Sequence, residues 1–220
     1  DRRARLAAEA PPPAAPAPRV VPPPLDEIKA IETTYSGIMF RSRTEARWAV
    51  YFDALDVRWL YEHEGYPLPS GNYLPDFFLP EFGEGGLFVE IKPERPATQA
   101  EKTKCRELVL WTGRPVVMFH GRPHVLNDNY SCGPWGAHPG CGTVVEPCFE
   151  EGTNKCVDTG EDFPFMFCRC QKCGTMGVAF EGRGARVCGR RCFPNDDRGH
   201  NYFDSRFVAA AEAARTKRFW

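Results

Sequence analysis

Along SRTEARWAVYFDAL, Ser42 to Leu55, apolar residues fall at Trp48, Ala49, Phe52 and Leu55, the three- and four-residue steps that line one face of a helix. Ser42 stands where an N-cap belongs. TQAEKTKCRELVLWTG predicts a second helix that stops at Gly113, and a third is expected from Ser205 to about Arg218. Runs of β-branched and aromatic residues predict strands at VRWLYE (Val57 to Glu62) and RPVVMFH (ending at His120). Two more are expected within YLPDFFLPEFGEGGLFVEIKPERP (Tyr73 to Pro96), joined by its glycines. A turn is expected in YSGIMF, Tyr35 to Phe40. The order α, β, β, β, α, β predicts an α/β fold, a mixed β-sheet flanked by helices.

The texture of the chain changes twice. PPPAAPAPRVVPPP, Pro11 to Pro24, can neither form a helix nor pair in a sheet and reads as a polyproline-like spacer. Residues 1–24 are thus expected to be an Ala/Pro-rich disordered linker, either a tether to further domains or proteins or a bare terminus. Residues 25–126 carry the helix and strand signals of a core. From Asn127 glycine, cysteine and short aromatic runs take over, so 127–220 is expected to be a small zinc-stabilised module closed by the terminal helix.

Composition narrows the function classes. The net charge of −1 gives no global attraction to a polyanion, so nucleic-acid binding has to rest on local patches. No apolar stretch approaches the roughly 20 residues of a membrane helix, and no signal segment opens the chain; no membrane partner is expected. A start at Asp1 is that of a fragment or processed product. Ten cysteines without a secretion signal, crowded towards the C-terminus, favour metal binding in a reducing compartment over disulfides.

The strand LFVEIK puts Leu87, Val89 and Ile91 on one face and Phe88, Glu90 and Lys92 on the other. Glu90 and Lys92 lie about 7 Å apart along it. On an edge strand they would be a surface ion pair. This strand is apolar on both faces, which argues for a central position, where an unpaired charge costs several kcal/mol. The glycine turn can bring Asp76 beside Glu90, and two adjacent carboxylates require a shared proton or a cation. Hard oxygen ligands suit Mg²⁺ or Mn²⁺, with Lys92 near enough to hold or deprotonate a water or to steady charge on phosphorus. Glu45 projects from the buried face of the first helix. It has two readings, a member of this site or the acid of an S-x-x-E capping box with Ser42.

Cys170-x2-Cys173, fourteen intervening residues and Cys188-x3-Cys192 approach the spacing of a zinc ribbon, in which two knuckles offer four thiolates to a tetrahedral ion. Gly174 suits the first knuckle turn. Cys168 is an alternative ligand. Cys132, Cys141, Cys148 and Cys156, near His138, make a looser second candidate zinc site. Cys105, alone on a helix, reads as a buried small hydrophobe. His63, His120, His124 and His200 read as loop or strand-end residues. Around the knuckles Lys172, Arg183, Arg186, Arg190 and Arg191 outnumber the acids, which suits either a duplex-backbone clamp or plain solubility around a structural ion.

Pro75-Asp76 followed by Glu90-Ile91-Lys92, with Glu45 on the preceding helix, resembles the core motif of the PD-(D/E)XK nuclease superfamily. The resemblance spans roughly Tyr35 to His120 and includes the order of elements. It implies a restriction-endonuclease-like core in which Asp76 and Glu90 ligate a divalent metal, the Ile91 carbonyl adds a ligand, Lys92 assists the water and Glu45 helps through metal or solvent. The implied function is Mg²⁺- or Mn²⁺-dependent hydrolysis of DNA phosphodiesters by an endonuclease, with the zinc module aiding DNA binding and stability. FRSRTEARWAVYFDAL and YLPDFFLP are also similar to small nuclease-like proteins of phages and actinobacteria, which implies a cytoplasmic setting in a bacterium or phage-infected cell. Arg41, Arg43, Arg47, Lys102 and Lys104, near the ends of the flanking helices, are candidates for phosphates beside the cut. The competing expectation is a catalytically silent nuclease-like module that binds DNA or protein.

Overall fold

Ser42 caps the first helix as predicted. Its backbone is extended (φ −140°, ψ 154°) and its hydroxyl accepts from the Glu45 N–H at 3.1 Å, satisfying one of the helix's orphan donors. The computed structural model describes residues 29–82, 85–93, 97–123, 142–145, 165–180, 187–188, 191–192, 194 and 205–219. The linker tract Pro11–Pro24 lies outside them. In chain order the elements are β1 (Thr33–Tyr35), β2 (Ile38–Phe40), α1 (Arg43–Ala54), β3 (Leu60–Tyr61), β4 (Tyr66–Leu68), β5 (Gly71–Tyr73), β6 (Phe77–Leu79), β7 (Leu87–Lys92), α2 (Gln99–Thr112), β8 (Val116–His120), β9 (Gly142–Val145), β10 (Phe165–Arg169), β11 (Met176–Phe180) and α3 (Ser205–Thr216).

Seven strands form one sheet in the order β11-β10-β9-β8-β7-β6-β3. Within it β7 and β8 pair in parallel and the other neighbours are antiparallel, the mixed sheet that the hydrophobic pattern predicts. A parallel pair needs a crossover, and α2 supplies it, starting in a Thr98/Glu101 capping box and ending where Gly113 turns left-handed at φ 67°.

Alternation along β7 feeds two cores. Leu87, Val89 and Ile91 join Val117, Phe119, α1 and α3 in one cluster, while Phe88 joins Val116, Met118, Tyr73 and the Cys105 face of α2 in the other. In the first, Trp48 stacks on Phe119 with centroids 4.6 Å apart and donates its indole N–H to the Gly121 carbonyl at 2.8 Å. Truncating a buried ring of this kind costs about 3–5 kcal/mol.

The strands and helix beyond Asn127 belong to the same unit. β9 to β11 extend the sheet from β8, Phe167 stacks on Phe119 with centroids 5.0 Å apart, and α3 buries Phe207, Ala210, Ala211 and Ala214 in the α1 core. Ile31–Trp220 is one compact unit. The change of texture at residue 127 therefore does not interrupt the sheet. Among the described residues no helix is long and apolar enough to cross a membrane.

Three local expectations change. Of VRWLYE only Leu60–Tyr61 pairs, because the Val57 N–H still closes α1 on the Phe52 carbonyl and β3 lies at the sheet edge. Tyr73 does not begin the strand that carries Asp76. It ends the β4–β5 hairpin, and β6 starts only at Phe77, after Pro75, which has no N–H to give a ladder. Neither that hairpin nor the short β1–β2 pair was expected as strands.

Candidate functional site

The antiparallel register Phe77↔Val89, continued by one residue, sets Asp76 across from Glu90. The return between the strands depends on Gly86, whose φ is +91° and where a Cβ would come within 2.4 Å of the Phe78 ring. Asp76 and Glu90 are 3% and 4% exposed, and the Asp76 N–H lies 3.4 Å from Glu90 Oε2. Burial, then the charges of Glu90 and Glu45, push the Asp76 carboxyl well above its ordinary pKa; the Ile91 N–H and Lys92 pull the other way.

Each carboxylate oxygen of this pair meets a protein donor. Asp76 Oδ1 accepts from Arg41 Nη2 at 2.5 Å and Oδ2 from the Ile91 N–H at 2.7 Å. Glu90 Oε1 accepts from Lys92 Nζ and Oε2 from the Tyr73 hydroxyl, both at 2.6 Å. Burial opposes the charge on Lys92, but Glu90 and, to a lesser degree, Asp76 and Glu101 raise its pKa. It is a protonated donor here, which favours charge stabilisation over deprotonation of a water. Glu101 stands 3.6 Å from Lys92 Nζ while its other oxygen takes the Thr98 N–H at 2.7 Å. The capping box of α2 thereby anchors the second partner of Lys92.

Glu45 combines parts of both its readings. Its N–H is capped by Ser42, but its carboxylate takes the Ser42 hydroxyl rather than a backbone N–H, and its other oxygen takes the Tyr61 hydroxyl, each at 2.6 Å. It is buried close enough to raise the pKa of Asp76. Glu62 holds a left-handed backbone (φ 43°), unfavourable for a residue with a Cβ, and pairs with Arg41 Nε at 2.5 Å.

A cavity of ≈ 340 Å³ opens beside these groups, lined among others by Arg41, Tyr73, Glu90, Lys92, Glu101 and Lys104. Of the basic candidates, Arg41 and Lys104 line it. Arg47 is instead bonded to the Ala214 and Arg215 carbonyls at the end of α3. Arg41, Tyr73, Glu62 and Glu101 were not expected to hold the carboxylates and ammonium. The T-x-x-E of Thr98–Glu101 marks Glu101 in sequence, while local spacing carries no signal for the contacts of the other three.

The second cluster lies at the tip of the β10–β11 hairpin. The first knuckle closes by Gly174 N–H to the Cys170 carbonyl and Cys170 N–H to the Thr175 carbonyl, both 2.8 Å, with Gly174 at φ 76°. The sulfurs of Cys170, Cys173, Cys188 and Cys192 all lie within 4.8 Å of one another, so the predicted set is assembled and can hold a metal such as zinc. Hydrogen bonding from Thr175 pushes the Cys173 thiol down to about 6, while the contact with Cys173 pushes the neighbouring Cys192 thiol up to about 12. Cys168 is buried on β10 outside this set, its thiol pushed up by burial to about 12. Cys105 is fully buried, as expected. Cys132, Cys141, Cys148 and Cys156, like Arg183, Arg186 and Arg190, lie outside the described residues.

No family model, curated protein or solved structure matches the chain. What the geometry defines is a mixed α/β protein with a cysteine cluster able to bind a metal and a buried carboxylate–lysine cluster beside a cavity.

Proposed function

We propose that the protein is a metal-dependent endonuclease that hydrolyses DNA phosphodiester bonds. The observation that carries this reading is the placement of Asp76, at the entry to β6, across from Glu90 on β7, with Lys92 on the same face and Glu45 close by. The donor set fits a hard divalent ion: Glu45, Glu62, Asp76, Glu90 and Glu101 crowd around two cations, Arg41 and Lys92, and burial followed by the charges of Glu90 and Glu45 raises the Asp76 pKa. Asp76, Glu90 and the Ile91 carbonyl would hold Mg²⁺ or Mn²⁺, whose chemistry is to polarise a phosphoryl oxygen and acidify a bound water. Lys92 donates to the site and stabilises negative charge that builds on phosphorus. Tyr73 fixes the Glu90 carboxylate, and Glu45 keeps Tyr61 against the Arg41 backbone. The cysteine module holds structural zinc, and Lys172 and Arg191 beside it contribute to backbone contacts with the duplex.

Incubation with plasmid or branched DNA tests this. Cleavage that requires Mg²⁺ or Mn²⁺ and disappears in folded Asp76→Ala and Lys92→Ala proteins is expected; equal cutting by all three proteins, or by none, would count against it. A second reading, a silent module that binds DNA or protein, is favoured by one observation: all four oxygens of Asp76 and Glu90 already have protein donors. Mobility shifts without cleavage under any divalent ion would select it. Cytoplasmic location and partners tethered through residues 1–24 belong to the same proposal.

A further inference from the structure

Asp76 already carries a cation supplied by the chain. Arg41 Nη2 lies 2.5 Å from Asp76 Oδ1 and its Nε 2.5 Å from Glu62 Oε1, yet 56% of its side chain is exposed. The two contacts are unequal. The first is a hydrogen bond, whereas Glu62 Oε1 is buried without hydrogen-bond geometry to any donor, so the guanidinium is not fully matched to its two carboxylates. The backbone of Arg41 is fixed independently, by its N–H on the Tyr61 hydroxyl at 3.1 Å and by the Ser42 cap that follows. The head can therefore turn without disturbing α1. It has somewhere to go, because Arg41 lines the cavity together with Lys92 and Lys104.

A guanidinium and a divalent ion cannot share one carboxylate oxygen, since like charges at that separation repel strongly away from bulk water. We propose that Arg41 is a two-position residue: it occupies Asp76 as a placeholder in the ion-free protein, yields that oxygen to the divalent ion, and turns its fork to a DNA phosphate in the cavity. This rests on the nuclease reading of the same site. The charge of Glu62, an ion pair without a hydrogen bond, keeps the guanidinium near the site while the outer nitrogens, freed from Asp76, bind phosphate in the bidentate manner that suits arginine. Metal binding and phosphate binding are thereby coupled, and by reciprocity each strengthens the other.

The test uses zinc-loaded full chain and two measurements that need no cleavage. Mn²⁺ affinity is measured by paramagnetic resonance titration for the wild type, Arg41→Gln, Arg41→Lys and Asp76→Asn. Binding of a short DNA duplex is measured by anisotropy in chelator-free buffer without added divalent ion and in Ca²⁺. Arg41→Gln should bind Mn²⁺ about tenfold tighter than wild type in the absence of DNA, within the usual range of coupling between sites, and Arg41→Lys should fall between. Without added divalent ion wild type and Arg41→Gln should bind the duplex alike; Ca²⁺ should tighten the wild type several-fold more than the variant. Equal Mn²⁺ affinity in wild type and Arg41→Gln, with binding lost in Asp76→Asn, overturns the placeholder role and leaves the metal site standing. Mn²⁺ binding that is absent, or indifferent to Asp76→Asn, overturns both.

Discussion

The carboxylate cluster and the cysteine cluster both gather groups that repel one another when charged, but they are held together differently. Asp76 and Glu90 are brought across from each other by strand register in the middle of the sheet, and every one of their oxygens meets Arg41, Lys92, Tyr73 or the Ile91 N–H. The four sulfurs sit on two turns, with Cys173 exposed and Cys192 half-exposed, and hydrogen bonds from Thr175 and from the Cys192 backbone ease the charge on Cys173 and Cys188. A network with its own donors keeps its shape without an ion. Four thiolates on turns do not, which is why ribbon-type sites and their metal fold as one.

Metal removal should separate the two most sharply. Stripping zinc, or Cys170→Ser with Cys188→Ser, should abolish bound zinc and lower the melting temperature by roughly 10 °C or more, since such sites contribute on the order of 10 kcal/mol to folding of their module. The Ile91 amide, bonded to Asp76, should stay protected from hydrogen exchange below that transition. An unchanged melting temperature with zinc gone would erase the contrast.

At the carboxylate cluster the large effect should fall on activity instead. Asp76→Ala and Lys92→Ala should lower DNA cleavage by about 10²–10⁴-fold and move the melting temperature by only a few degrees. A collapse of stability would mean that this cluster, too, is chiefly structural.

Tyr73→Phe sharpens the claim that Glu90 depends on its own donors. Its hydroxyl is held well above the ordinary tyrosine pKa, first by burial and then by Cys105 and Glu90, so it remains a donor throughout the working pH range. Chemical denaturation should show a loss of about 1–3 kcal/mol, as for a buried bond to a charged group. Next in size, Ser42→Ala should cost about 1 kcal/mol as a lost cap. Glu45→Gln, whose amide oxygen can accept from one of the two hydroxyls while its NH2 can only donate, should cost about 0.5–1 kcal/mol while reducing cleavage. Equal cleavage by Glu45→Gln and wild type would assign Glu45 to the cap alone.

The smallest effect concerns pH. Asp76 has a folded-state pKa raised by burial, Glu90 and Glu45, so the folded chain holds a proton that the unfolded chain releases near the ordinary carboxylate value of about 3.9. That contribution is complete below the ordinary value and is lost as pH rises towards the folded one. Metal-free protein should therefore lose stability from Asp76 over that interval, and Asp76→Asn should flatten the loss in urea midpoints measured across it. The cysteine cluster gives no reason for a dependence on Asp76, so an identical profile in both proteins would break the assignment.

Much of this was readable along the chain. The steps from Trp48 to Leu55 and the Ser42 cap mark α1, Gly113 marks the end of α2, and the apolar runs mark β7 and β8. The β4–β5 hairpin escaped because Pro67, Pro69 and Gly71 give it the composition of a loop. Its strands are three residues each and owe their place to Tyr66, Leu68 and Tyr73 packing in the α2-side core. That hairpin delivers Tyr73 to Glu90, so a site residue was hidden behind a misread element.

What the sequence by itself determined was local: which face of β7 carries Glu90 and Lys92, which helix ends are capped, and which cysteines share a knuckle. These follow from periods of two and 3.6 residues and from turn chemistry, all within a few positions of one another. Only the tertiary structure decided that Asp76 lies across from Glu90, that β9 to β11 continue the core sheet, and that Arg41 and Tyr73 donate to carboxyl groups 35 and 17 residues away. Contacts of that range are set by how the two apolar faces of the sheet are covered, and no local period records that choice.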